Sequence, residues 1–152
     1  MRVLVTGATG FLGGHLIEEM ARGPHVPVCA HRQGSDTRRI DLLGLEKAVL
    51  DLTDRDSMLQ ALKGVYAVVH LAAYYTFTGK KEMYDKVNVQ GTADLLEACK
   101  EAGVRRFLYC SSTEAMRPIE DPPGDEDPPP LPPIRIRALQ GQGGGTGEGP
   151  RA

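Results

Sequence analysis

The chain has 152 residues, 41% apolar and 25% charged, the composition of one globular domain with one core. Lys plus Arg number 18 and Asp plus Glu 20, a net charge of −2, which excludes a basic nucleic-acid surface and a polybasic membrane patch. No apolar run approaches the roughly 18 residues of a membrane span or fits a signal peptide, and three scattered cysteines (Cys29, Cys99, Cys110) with no metal-ligand spacing read as reduced thiols of a cytoplasmic protein.

Strand and helix signals alternate along the first part of the chain. Val3–Thr6 is a short apolar strand, followed by a glycine turn and a helix over Phe11–Ala21. Val26–Ala30 and Lys47–Leu50 read as the second and third strands, and Arg55–Lys63, with Met58, Leu59 and Leu62 apolar, as the next helix. Ala67–Leu71 is a fourth strand. A long helix is then expected over about Glu82–Ala102, with Met83, Val87, Gly91, Leu95 and Cys99 in one stripe and Gly103 ending it. Arg106–Cys110 is a fifth strand. Short continuous apolar strands separated by helices imply an α/β fold with a doubly wound parallel sheet of Rossmann type, broken off after about the fifth strand.

The composition changes at about residue 117. From Pro118 the chain runs through Asp121-Pro122-Pro123-Gly124 and Pro128-Pro129-Pro130 to Gly143-Gly144-Gly145. Pro removes backbone donors and Gly adds chain entropy, so residues 118–152 are expected to form a disordered tail behind a domain of residues 1–117.

Thr6-Gly7-Ala8-Thr9-Gly10-Phe11-Leu12-Gly13 lies between the first strand and the first helix. Gly7 lets the chain turn sharply, Gly10 has no Cβ to obstruct a diphosphate, and Gly13 lets the helix pack close to the sheet. The helix start then offers amide protons and a positive dipole end. A tight turn that binds nothing is the alternative. The Gly-x-x-Gly-x-x-Gly spacing resembles the short-chain dehydrogenase/reductase superfamily, and in particular its extended branch. That branch includes sugar-nucleotide epimerases and dehydratases, 3β-hydroxysteroid dehydrogenases and dihydroflavonol-reductase-like enzymes. The resemblance covers residues 1 to about 117 and rests also on Asp51-Leu52, Leu71-Ala72-Ala73, Asn88-Val-Gln-Gly-Thr92 and Tyr109-Cys-Ser-Ser-Thr113.

The resemblance implies an NAD(P)-dependent oxidoreductase or epimerase that moves hydride at a carbinol or carbonyl carbon of a small molecule. It assigns dinucleotide contacts to Gly7, Thr9, Gly10, Phe11, Leu12 and Gly13. Asp51 would take the adenine amino group with help from the Leu52 backbone; a helix cap is the other reading of Asp51, for which Thr53 and Asp54 compete. Leu71, Ala72 and Ala73 form a small-residue loop where bulk would collide with the cofactor. Asn88 matches a residue that steadies an irregular turn in the long helix. After the second strand no acid stands where it would bond a ribose 2′-hydroxyl; Arg32, with Ser35, is placed for a 2′-phosphate, so NADP is expected ahead of NAD. Arg32 as an ordinary solvated charge is the alternative. The family often forms homodimers.

Ser112 matches the catalytic serine that bonds the substrate oxygen, beside a Tyr and a Lys of a Tyr-x-x-x-Lys motif. That pair is absent: no tyrosine follows Tyr109 and no lysine follows Lys100. Tyr84 and Lys86 have the wrong spacing and precede the serine strand. Back-translated from Ile134 with chosen codons and read one nucleotide later, the tail yields Phe-Glu-Tyr-Gly-Arg-Ser-Lys, so it is compatible with a shift of reading frame from about residue 134. A short relative with a natural tail is the competing reading. The expectation is an incomplete, inactive oxidoreductase chain, with a non-catalytic dinucleotide-binding module as the alternative.

Overall fold

The computed structural model describes residues 1–76, 78 and 80–112; the expected tail and its frame shift lie outside these residues. Residues 1–73 and 94–110 make one compact unit, and the described residues of 74–93 belong to a second with Ser111 and Ser112.

In the first unit, β1 (Arg2–Thr6), β2 (Val26–His31), β3 (Glu46–Val49), β4 (Ala67–His70) and β5 (Arg106–Tyr109) form one parallel sheet in the order β3-β2-β1-β4-β5. The order reverses at β1, which pairs with β2 on one side and β4 on the other, so the carboxyl end of β1 is the switch point where such sheets bind ligands. Side chains alternate between faces. Val5 and Cys29 point to one face and pack with Ala8, with Ile17 of α1 (Phe11–Ala21) and with Ile40 of α2 (Arg38–Leu42). Leu4, Val28 and Val68 point to the other, and none is more than 1% exposed, so both faces are covered. Among the helical residues, Met58 of α3 (Arg55–Ala61) and Leu95 and Ala98, further along the chain, are fully buried.

The doubly wound fold is as expected, and strand ends shift by a residue, as β3 begins at Glu46 and β5 ends at Tyr109. Two expectations are corrected. Helix α2 was not anticipated, because five residues with Ile40 alone buried carry no periodic signal. The long helix is not one regular element: α4 (Lys81–Tyr84) runs into a π-helical stretch at Asp85–Gln90, which holds the irregular turn implied at Asn88, and then α5 (Gly91–Glu101). Its buried line runs through Tyr84, Asn88, Thr92, Leu95 and Cys99, while Met83 is 37% exposed. Tyr84, Asn88 and Thr92 follow one another by four residues but Leu95 follows Thr92 by three, so a stripe drawn back from Leu95 in fours falls one residue early, on Met83. Gly103, at φ 73°, ends α5, with the Val104 amide donating to the Cys99 carbonyl.

Candidate functional site

The strand registers bring the first unit's candidates to one edge of the sheet. Thr6 pairs with His70, His70 with Tyr109 and His31 with Val49, so the chain leaves β1, β4, β2 and β3 at one level. Gly7, Leu71, Arg32 and Asp51 follow those ends within two residues.

The turn after β1 is built backbone on backbone. Gly7 has φ 70°, which an L side chain adopts at a cost, and a Cβ there would meet the Ala72 amide nitrogen at 3.0 Å. A Cβ on Gly13 would stand 2.1 Å from the Gly7 carbonyl oxygen. Gly10 closes the turn through its amide to the Gly7 carbonyl (2.9 Å) and caps α1 without a side-chain hydrogen bond. The first turn of α1 holds no acid, and Thr9, Gly10, Phe11 and Leu12 are exposed. An exposed helix start with no side-chain cap and no competing carboxylate suits an anionic, phosphate-bearing ligand. The glycine spacing fits a dinucleotide for that reason.

Thr6 ties this turn to the loop after β4. Its Oγ1 accepts from the Leu71 and Ala72 amides, each at 3.1 Å, and lies 2.7 Å from His70 Nδ1. Thr6 and His70 are both 1% exposed, and burial pushes the His70 pKa down to about 4. Tyr109, whose ring stacks on His70 at 5.9 Å, is raised by burial and then by the neighbouring Cys110. This latch escaped the sequence reading; a histidine inside an apolar strand was the available signal.

The Asp51 carboxylate accepts from both the amide and the hydroxyl of Thr53, whereas Asp54 caps α3 by accepting from the Asp56 and Ser57 amides. Asp51 is thus relieved of the cap, and Leu52 is buried beside it in sequence. Arg32 is exposed, and among the described residues no carboxylate pairs with its guanidinium. Asp36, the next acid after β2, is held down to about 2 by hydrogen bonds from Arg38. Sequence reasoning also missed Arg39, which lies over Gly14 of α1 and donates to Glu18 at 2.7 Å.

In the second unit Asn88 takes both polar groups of one peptide residue: Oδ1 accepts from the Tyr74 amide (2.6 Å) and Nδ2 donates to the Tyr74 carbonyl (2.9 Å). Tyr84 repeats the arrangement, its hydroxyl accepting from the Thr76 amide and donating to the Thr76 carbonyl. Ser112 is half-buried in the same unit.

The 3-beta hydroxysteroid dehydrogenase/isomerase family matches residues 4–128. The chain is 39% identical over 131 residues to the decarboxylating sterol-4-alpha-carboxylate 3-dehydrogenase of Bos taurus, covering 84% of this chain and 35% of that protein. It is 43% identical over 119 residues to sterol demethylase protein B of Methylococcus capsulatus, covering 76% of this chain and 36% of that protein. Among solved structures, a short-chain dehydrogenase/reductase superfamily protein from Agrobacterium tumefaciens with bound NAD superposes with a TM-score of 0.83 at 31% identity, over 96% of this chain and 44% of that one. The chain spans about a third of the length of the curated relatives it matches.

Proposed function

The chain belongs to the 3-beta hydroxysteroid dehydrogenase/isomerase family, within the extended short-chain dehydrogenases/reductases, and on that premise we propose that residues 1–117 bind a nicotinamide dinucleotide as the cofactor domain of an oxidoreductase. The observation that carries this reading is the uncapped, acid-free start of α1 seated directly on the Gly7 carbonyl. The nicotinamide, when bound, supplies the carbon that gives or takes hydride.

The chain's own residues then divide the work. The amides of Phe11, Leu12 and Gly13 hold the diphosphate, with Thr9 and Gly10 leaving it room. Asp51 accepts from the adenine amino group beside the Leu52 backbone, and Leu71, Ala72 and Ala73 keep the loop after β4 free of bulk. Arg32 faces the adenosine ribose and favours NADP(H) over NAD(H); its exposure and the engagement of Asp36 with Arg38 support that choice. Asn88 steadies the Tyr74 peptide, and Ser112 bonds the oxygen of a small carbinol or carbonyl substrate. The names of the sterol dehydrogenase relatives favour an apolar alcohol over a sugar nucleotide. The homodimer habit of the extended short-chain enzymes belongs to the same reading, as does a cytoplasmic location, which the disulfide-free Cys29, Cys99 and Cys110 support. Among the described residues no helix is long and apolar enough to cross a membrane.

A second reading has its own observation. Residues 1–152 carry no Tyr after Tyr109 and no Lys after Lys100, so this chain holds one of the three catalytic groups and acts as a dinucleotide-binding module without turnover. Amide resonances followed during addition of NADPH test the common core: shifts centred on Gly7–Gly13 and Leu71–Ala73 are expected, and shifts elsewhere alone would refute it. Oxidation of NADPH in the presence of a sterol ketone separates the two readings.

A further inference from the structure

His70 is a buried titratable group that the reading above leaves without a task. Its surroundings fix its hydrogen-bonding state. A hydroxyl oxygen offers two lone pairs and one proton. The Leu71 and Ala72 amides occupy the lone pairs of Thr6 Oγ1, so the Thr6 proton is directed to His70 Nδ1, 2.7 Å away. Nδ1 is therefore the acceptor, and the neutral ring carries its own proton on Nε2.

The consequence reaches the candidate site through the backbone. Ala72 packs against Gly7 closely enough that a Cβ on Gly7 would meet its amide nitrogen at 3.0 Å, and Gly7 in turn seats Gly13 of α1. The direction of one hydroxyl thus sets how the loop after β4 lies on the phosphate-binding turn. We propose that His70 is a positioning residue for the dinucleotide: by accepting from Thr6 it keeps the Thr6 oxygen turned to the Leu71 and Ala72 amides and holds that loop on the Gly7 turn. This inference rests on the dinucleotide reading. Ring packing is the competing role, since His70 also lies near Phe107 (5.8 Å) and Tyr109 (5.9 Å).

Acceptor and ring are separable by substitution. His70→Asn offers an oxygen near the place of Nδ1 without the ring, and His70→Phe keeps a ring without the acceptor. Thr6→Ser and Thr6→Val make the same division from the other side. The intact chain and these variants would be titrated with NADPH and NADH by calorimetry, with thermal midpoints alongside and the wild-type His70 tautomer read from ¹⁵N resonances. Asn and Ser variants are expected to bind within about twofold of wild type, and Phe and Val variants about tenfold more weakly, the loss a buried, unanswered polar group brings. Undiminished binding by His70→Phe or Thr6→Val overturns the inference, as does a proton found on Nδ1 at neutral pH. Should His70→Phe fail to fold, the Thr6 pair decides. If the folded wild type takes up neither dinucleotide, the dinucleotide reading itself falls, and this inference falls with it.

Discussion

Gly13 sits on the Gly7 carbonyl with no space for a methyl group, a Cβ there falling 2.1 Å from the oxygen, whereas a Cβ on the adjacent Gly14 would fall 2.3 Å from the Arg39 Nη1 atom. The two glycines therefore differ in what must yield. Backbone cannot move without lifting α1 off the turn, so Gly13→Ala is expected to destabilise by about 1–3 kcal/mol and to weaken dinucleotide binding. A guanidinium can swing aside, and alanine gains about 1 kcal/mol of helix propensity, so Gly14→Ala is expected to stay within about 1 kcal/mol of wild type while breaking the Arg39–Glu18 pair. Urea unfolding of the two variants checks the contrast; equal losses would contradict it.

The paired clamps on Tyr74 and Thr76 predict a local effect. Asn88→Ala removes both partners of the Tyr74 peptide, and Tyr84→Phe both partners of the Thr76 peptide. Amide hydrogen exchange is expected to quicken about tenfold at Tyr74 in the first variant and at Thr76 in the second. Unchanged exchange at both amides would show that the clamps hold nothing.

His70 gives stability a pH dependence whose sign is determined. Its folded pKa is about 4 against an ordinary 6.5, so between these values the unfolded chain binds a proton that the folded chain does not. Stability is complete above about pH 6.5 and falls as the pH drops towards 4, by roughly 3 kcal/mol in all. Tyr109, raised above its usual range, stays neutral throughout that window. Urea midpoints of the wild type should decline over this interval more steeply than those of His70→Asn. Parallel curves would mean that folding leaves the proton affinity of His70 unchanged.

Arg32 tests the cofactor preference. Arg32→Glu places an acid where a 2′-phosphate is proposed to lie, and is expected to weaken NADPH about tenfold while leaving NADH little changed. An equal loss of both, or none, would make Arg32 an ordinary surface charge.

Where sequence sufficed, the pattern was local. The run Val3–Thr6, the glycines after it and the apolar helix Phe11–Ala21 announce their own geometry within a few residues. Gly103 likewise announces its left-handed stop. Helix α2 stayed hidden because so short a segment has no period; apolar spacing does not separate irregular from regular helix either, and the irregular turn at Asn88 was implied by the family resemblance alone. The cap of α3 had three candidates, Asp51, Thr53 and Asp54, until the hydrogen bonds gave it to Asp54, with Asp51 accepting from Thr53. The Thr6–His70 latch joins residues 64 apart, and its existence depends on the register of β1 against β4, which neither strand states alone.

The central claim is that the start of α1 receives the diphosphate of a nicotinamide dinucleotide. Isothermal calorimetry of the folded chain with NADPH, NADP⁺, NADH and NAD⁺ addresses it most directly. Saturable one-to-one uptake, tighter for the 2′-phosphorylated pair and weakened in Gly13→Ala, is the predicted result; a folded sample that gives no binding heat with any of the four and shows no displaced resonance in the Gly7–Gly13 turn would contradict it.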